Sequence, residues 1–348
     1  MKILIRATNW VGDAIMGLPA LRAVRGRFSE ARIAVVARPY IVDIYRGQGI
    51  CDELIPYDPD GAHRGLRCRE RLAKDLRVQQ FDVALLLQNA FDAAWLAWRA
   101  RIPERIGYAR DGRSLLLTKG VAVPKRGEIP SHEQFYYLEL LRRAGWIDSL
   151  PEERHVRIEV AETQSQRAEE TLVAAGARRG VPRIALGAGA AYGSAKCWPP
   201  ERYAEFVNRF RRATDSDVIL FGSPSEQQVA EAIKTGISGP VISLVGKTTM
   251  ADLPSLFSRC QLFVGNDSGA MHVAAAVSLP VVAIFGPTDP HGTAPITTRC
   301  VIVQEKSYCS PCFLRRCPID HRCMTRIRPE AVEAAARAWL RSAEVASG

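Results

Sequence analysis

The stretch 261–290, QLFVGNDSGAMHVAAAVSLPVVAIFGPTDP, constrains the fold of this chain more than any other. An apolar run, 262–264, has strand composition, and the loop Gly265-Asn266-Asp267-Ser268-Gly269 follows it. A small-residue helix is predicted over 270–277. Pro280 then opens a second apolar run, which ends in the loop Gly286-Pro287-Thr288-Asp289. Strand, glycine-bearing loop, helix and strand in that order make a βαβ unit of a parallel sheet. Ligands of such sheets sit outside the carboxyl ends of the strands, where both loops fall. Gly269 has no Cβ to block close approach, and Ser268 with the free N–H groups of the helix start suits a phosphate. An ordinary βα turn with Asp267 as N-cap accounts for the same residues equally well.

The alternation extends in both directions. Strands are predicted at 2–7, 32–37, 53–57, 81–88, 105–108 and 120–123, with helices at 14–28, 40–47, 64–78, 91–101 and 132–144. A polar, proline-containing connection occupies 148–162. The pattern restarts with strands at 183–186, 217–221 and 241–245 and helices at 201–212, 227–234 and 251–258. A last helix, 329–343, has Val332, Ala335, Ala336, Trp339 and Leu340 on one face and is expected to pack back across the lobes. At 348 residues the chain exceeds one core. The expected fold class is therefore α/β, with two Rossmann-like parallel-sheet domains facing a central cleft that holds the ligand. Domain boundaries are placed at 1–160, 161–325 and 326–348, the last being the closing helix.

Composition excludes several classes. No apolar run approaches the roughly 20 residues of a membrane-spanning helix, and the start MKILIRATNW is too short in apolar length for a secretion signal. Nine cysteines, an odd number in a long chain, argue against a secreted disulfide framework. These features point to the cytoplasm. A formal charge of +10 is consistent with anionic partners, and equally with a preference for Arg over Lys. No nucleic-acid-binding module is present, so nucleic acid is not an expected partner.

Three motifs carry chemistry. The segment Gly187-Ala-Gly189-Ala-Ala-Tyr192-Gly193 is close to a dinucleotide fingerprint, but Tyr192 stands where the third glycine belongs and Trp198-Pro199-Pro200 delays the helix, which argues against a nicotinamide or flavin site. It reads instead as a flexible loop ending in Lys196, whose ammonium can neutralise a diphosphate leaving group; a solvated lysine is the plainer reading. Asp13, after Gly12, lies between the first strand and its helix. There it is an N-cap or, if buried by a closing cleft, a base for an attacking hydroxyl.

Taken together, Asn9-Trp10-Val11-Gly12-Asp13 with Leu18-Pro19-Ala20-Leu21, Lys196-x-Trp198-Pro199 and Gly265-Asn266-Asp267-Ser268-Gly269-x-x-His272 resemble the bacterial ADP-heptose:lipopolysaccharide heptosyltransferases, glycosyltransferase family 9, over nearly the whole chain. The Trp-Val-Gly-Asp form is more similar to the second-heptose enzymes than to the first. The resemblance implies a GT-B fold, with acceptor on the N-terminal lobe and nucleotide sugar on the C-terminal one. It implies inverting transfer from ADP-heptose to a phosphorylated lipid A-core acceptor, heptosyl-Kdo2-lipid A, with no cofactor required for catalysis. Carried over by position, Asp13 is the base, Lys196 steadies the diphosphate, Asp267 holds the heptose, and the backbone of Ser268 and Gly269 cradles phosphate with His272 nearby. Glu226 is a candidate ribose partner, and Lys247 opens on the same rim. The alternatives are a relative using another nucleotide sugar or the first-heptose acceptor, or a non-catalytic sugar-nucleotide-binding protein.

Two clusters remain. Cys309, Cys312, Cys317 and Cys323, with His321 between the last two, suggest a structural metal site or free thiols, before disulfides or a redox role. Members of the resembling family that lack such a tail imply that catalysis does without it. Arg64, Arg67, Arg69, Arg71, Lys74 and Arg77 beside Leu66, Leu72 and Leu76, together with Trp95, Trp98, Arg99 and Arg101, read singly as a solvated face over core tryptophans. As a set they fit peripheral contact with the inner face of an anionic inner membrane.

Overall fold

The computed structural model describes residues 1–151 and 155–347. The chain folds into two compact units, Met1–Glu153 and Arg154–Gly348. The predicted connection 148–162 spans this division, and 152–154 within it lie outside the described residues.

In the first unit the order is β1 (Lys2–Arg6), α1 (Val11–Arg27), β2 (Arg32–Ala37), α2 (Pro39–Tyr45), β3 (Glu53–Pro56) and α3 (Leu66–Val78). It continues with β4 (Val83–Leu86), α4 (Phe91–Arg99), β5 (Glu104–Tyr108), β6 (Lys119–Val121) and α5 (Glu133–Ala144). The second unit runs α6 (Glu162–Ala174), β7 (Arg183–Gly187), α7 (Pro200–Arg211), β8 (Asp217–Phe221), α8 (Gln227–Gly236), β9 (Ile242–Ser243) and α9 (Leu253–Ser258). It closes with β10 (Leu262–Asn266), α10 (Gly269–Ala276), β11 (Val281–Phe285), α11 (Pro290–Thr293), β12 (Cys300–Gln304), α12 (Arg322–Thr325) and α13 (Pro329–Ser347).

Each unit holds one six-stranded sheet, ordered β3-β2-β1-β4-β5-β6 and β12-β11-β10-β7-β8-β9, with parallel pairing throughout. Parallel strands covered on both faces must be apolar along their length, and the central strands β7, β10 and β11 are buried at every position. Strand order reverses between β1 and β4 in the first unit and between β7 and β10 in the second. Each reversal sends neighbouring loops apart and leaves a crevice at the carboxyl edge. Among the described residues no helix is long and apolar enough to cross a membrane.

Several elements depart from expectation. The sequence reading omitted α6, which buries only Ala168 and Leu172 and so lacks a broad apolar stripe. It also omitted β12, an edge strand paired only to β11. Helix α1 begins at Val11, with Trp10 as a cap that makes no side-chain bond. Asp13 therefore lies inside the first turn, and the N-cap reading of it falls. Helix α13 packs on α7 and on β10, β11 and β12. Val332 and Ala336 are fully buried there, and Arg209 pairs with Glu330 and Glu333.

Gly265 shows why the central motif starts with glycine. It stands opposite Gly187 in the β10–β7 register. A Cβ on it would come within 2.6 Å of the Gly187 carbonyl oxygen and 2.8 Å of the Phe263 ring. Gly265→Ala is expected to cost about 1–3 kcal/mol through overpacking. Urea denaturation measures this, and an unchanged midpoint and slope would contradict the close approach.

Candidate active site

The crevice between β7 and β10 gathers most of the predicted residues of the second unit. Its anchor is Asn266, 0% exposed, whose Oδ1 accepts from the Trp198 N–H (3.0 Å) and the Tyr203 hydroxyl (2.9 Å). Its Nδ2 donates to the Ala188 carbonyl at 2.6 Å. One buried amide thus fixes the loop after β7 against the end of β10. Held in that way, Lys196 places Nζ 2.5 Å from Asp267 Oδ2, with side-chain exposures of 13% and 5%. The Thr288 hydroxyl donates to the same oxygen at 2.7 Å, and the Lys196 ammonium lies 4.9 Å from the Tyr192 ring centroid. Ser268, not Asp267, caps α10, and it does so without a side-chain bond. The first N–H groups of α10, beginning at Gly269, therefore carry no side-chain cap, and the buried Ser268 hydroxyl has no hydrogen-bond partner among the described residues. An anion is favoured at such an end. His272 is buried on the same helix.

Glu226 and Lys247 lie along the same carboxyl edge. The Glu226 carboxylate accepts from the Ser223 N–H (2.6 Å) and hydroxyl (3.0 Å), closing the turn after β8. It passes beside Gly189, where any Cβ would collide with Oε1, and a Cβ on Gly222 would come within 2.8 Å of Oε2. The Glu226 carboxylate occupies the space beside Gly189. The Gly246 N–H donates to Gly222 O at 2.9 Å, which joins this turn to the one bearing the exposed Lys247.

In the first unit Gly12 and Asp13 occupy the first turn of α1, beside the β1–β4 reversal. Burial, followed by the charge of Asp13, raises the Tyr45 and Tyr137 hydroxyls far above the usual phenol range. The Asp13 carboxylate is thus within electrostatic reach of two neutral phenols. Arg6 braces the loop leading to it, donating to Ala7 O (2.5 Å) and Asn9 Oδ1 (2.8 Å). Arg113, fully buried, donates to Tyr108 O at 3.0 Å, Asn89 Oδ1 at 2.8 Å and Gln88 O, and so braces the loop after β4. Burial lowers both guanidinium groups to about 10. The sequence reading missed Arg6 and Arg113, and it quoted Asn266 and Thr288 in their loops without giving either a role. A charged residue closing an apolar strand was the available signal for Arg6.

The cysteine segment is stitched to the second-unit site. The Tyr192 hydroxyl donates to Phe313 O (2.7 Å), the Ala195 N–H donates to Arg315 O (3.1 Å), and His321 Nε2 lies 2.7 Å from Ala195 O. The Cys312 and Phe313 N–H groups donate to Pro287 O, and the Ser310 hydroxyl to Gly286 O. Cys309, Cys312, Cys317 and Cys323 are free thiols. Burial pushes the Cys323 thiol up to about 11, and the other three thiols add to the effect. Among the described residues no group of three or more His, Cys, Asp or Glu side chains is arranged to hold a metal ion.

Two Rossmann-like units, each built on a six-stranded parallel sheet, give the chain the GT-B fold of its heptosyltransferase neighbours. The chain belongs to glycosyltransferase family 9 (heptosyltransferase), whose profile matches residues 69–322. It is 30% identical to lipooligosaccharide heptosyltransferase 2 of Haemophilus ducreyi over 316 residues, covering 87% of this chain and 88% of that one. The solved ADP-heptose LPS heptosyltransferase II of Escherichia coli is similar with a TM-score of 0.82 and 27% identity, covering 99% of this chain and 100% of that one. A family 9 glycosyltransferase from Veillonella parvula shares the fold, with a TM-score of 0.86 and 24% identity over 98% and 97% of the two chains.

A buried ion pair stabilises little in net terms, yet removing one partner strands the other. Asp267→Ala is expected to cost about 3–5 kcal/mol, and the double change Lys196→Met with Asp267→Leu much less. A cycle of urea unfolding curves checks this. A loss in the double variant as large as the summed losses of Lys196→Met and Asp267→Leu made singly would mean that the two charges do not depend on each other.

Proposed function

We propose that this enzyme is an inverting heptosyltransferase of the lipopolysaccharide inner core. It moves L-glycero-D-manno-heptose from ADP-heptose to heptosyl-Kdo2-lipid A, working in the cytoplasm with peripheral contact at the inner face of the inner membrane. The observation that carries the reading is the Lys196–Asp267–Thr288 arrangement beside the uncapped start of α10. The heptosyltransferase 2 relatives matched over most of the chain support it.

In the proposed reaction Asp13 accepts the proton of the acceptor hydroxyl as its oxygen forms a bond to the anomeric carbon of the heptose. The bond from that carbon to ADP breaks on the opposite face, which inverts the centre. The Lys196 ammonium, the Ser268 hydroxyl and the N–H groups of Ser268 and Gly269 receive the charge developing on the diphosphate. Asp267, held by Thr288, accepts hydrogen bonds from heptose hydroxyls, and His272 supports the helix start from within. Glu226 and Lys247 serve the ribose side of the nucleotide. No step runs through a metal. The cysteine segment enters as a clamp on the loops carrying Lys196 and Thr288, and any structural metal there would act through that clamp alone.

Asp13→Asn is expected to lower kcat by about 10²–10⁴ with ADP affinity unchanged. Mass spectrometry of products from ADP-heptose with heptosyl-Kdo-lipid A, and separately with Kdo-lipid A, follows turnover and acceptor choice together. Turnover by Asp13→Asn within a few-fold of the parent would remove the proposed base. Thr288→Val is expected to reduce kcat/KM by roughly 10- to 100-fold through the lost bond to a charged acceptor, and Thr288→Ser to restore most of it. Equal activity of the Val and Ser variants would show that the hydroxyl has no such part.

A further inference from the structure

Helix α3 has two faces. Leu72, Ala73 and Leu76 are buried in the first unit's core, while Arg67, Arg71 and Lys74, spaced i, i+4 and i+7, stand exposed along the other side. Helix α4 packs beside it, and its last turn brings up Arg99 and Trp98, the latter 43% exposed. Leu66, Arg67, Glu70, Arg71, Lys74 and Arg99 line a groove of ≈ 530 Å³ on this surface.

The charges here are unevenly compensated. On the same two helices Arg69 pairs with Asp92 at 3.1 Å. Arg99 takes Glu70, the one carboxylate of the groove, through contacts of 2.9 Å and 2.5 Å. Arg67, Arg71 and Lys74 are left in no ion pair among the described residues. Exposed apolar groups stand with them: Leu66, 69% exposed, lines the groove, and Trp98 precedes Arg99. A row of uncompensated cations beside an exposed indole and a leucine matches a headgroup layer, where phosphate meets the cations and the ring lies at the interface.

We propose that the α3–α4 groove docks the first unit on an anionic lipid bilayer, with lipid phosphates against Arg67, Arg71 and Lys74 and with Leu66 and Trp98 entering the headgroup layer. This deepens, and rests on, the reading of the chain as an enzyme with a lipid-anchored acceptor. It narrows the broad basic run of the sequence to the three unpaired cations that line the groove: Arg69 and Arg99 are already paired, and Arg64, Arg77 and Arg101, though exposed, do not line it.

The test is co-sedimentation of the full chain with phosphatidylglycerol vesicles and with phosphatidylcholine vesicles. The parent is expected to bind the former and hardly the latter. The combined variant Arg67→Glu, Arg71→Glu, Lys74→Glu is expected to lose roughly 100-fold or more in partitioning at about 1 kcal/mol per charge, with unchanged circular dichroism. Trp98→Ala is expected to lose less. On a water-soluble, deacylated acceptor the charge-reversed variant should turn over like the parent, and on vesicle-embedded acceptor its kcat/KM should fall. Vesicle binding by this variant equal to the parent's overturns the proposal, as does tighter binding of the parent to duplex nucleic acid than to vesicles. Charge-dependent vesicle binding by a parent that transfers no heptose would uphold the surface and overturn the assigned reaction, so the two failures are separable.

Discussion

The second unit depends on two opposite charges held together where water is scarce. Placing Lys196 and Asp267 at the β7–β10 reversal costs desolvation of both, and their mutual attraction returns about as much. Such a pair is poorly justified as a source of stability. In the proposed reaction it keeps a cation and a carboxylate in place before a charged sugar nucleotide arrives, since groups already oriented need no reorganisation when charge develops. The surrounding bonds serve this end. Asn266 pins the loop to the strand, Thr288 fixes the carboxylate, and the segment bearing the cysteines holds the loops that carry Lys196 and Thr288.

The first unit meets the same need with different residues. Its β1–β4 reversal is braced by two buried arginines, Arg6 and Arg113, whose hydrogen bonds go almost wholly to backbone carbonyls and asparagine oxygens. Burial taxes the charged form of each, so their retention reflects the number of carbonyls they satisfy. Asp13 stands on the first turn that follows this braced loop. It stands at the positive end of that helix and within electrostatic reach of the Tyr45 and Tyr137 hydroxyls.

Much of the fold was legible because parallel strands are apolar on both faces and their helices carry a stripe. The runs at 262–264 and 280–285 and the glycines between them sufficed to place the βαβ unit. Helix α6 escaped because it buries only Ala168 and Leu172. Strand β12 carries the apolar run Cys300–Val303, so its signal stood in the sequence and was passed over. The start of α1 was misplaced because Trp10 caps it without a side-chain bond, so no Ser, Thr, Asp or Asn marked the boundary.

From residues alone came the α/β class, the doubling of the Rossmann pattern, the family resemblance, and the candidate list Asp13, Lys196, Asp267, Ser268 and Gly269. Those depend on local periodicity and short motifs, which a linear chain displays directly. Only the tertiary structure decided that Lys196 pairs with Asp267 and not with solvent, that Thr288 and Asn266 bond to the residues around that pair, and that the Glu226 carboxylate lies against Gly189. It also decided which cations of α3 remain uncompensated. Each of these facts joins residues that are distant in the chain or on different elements, and pairings of that kind exist only once the strands have taken their order in the sheet.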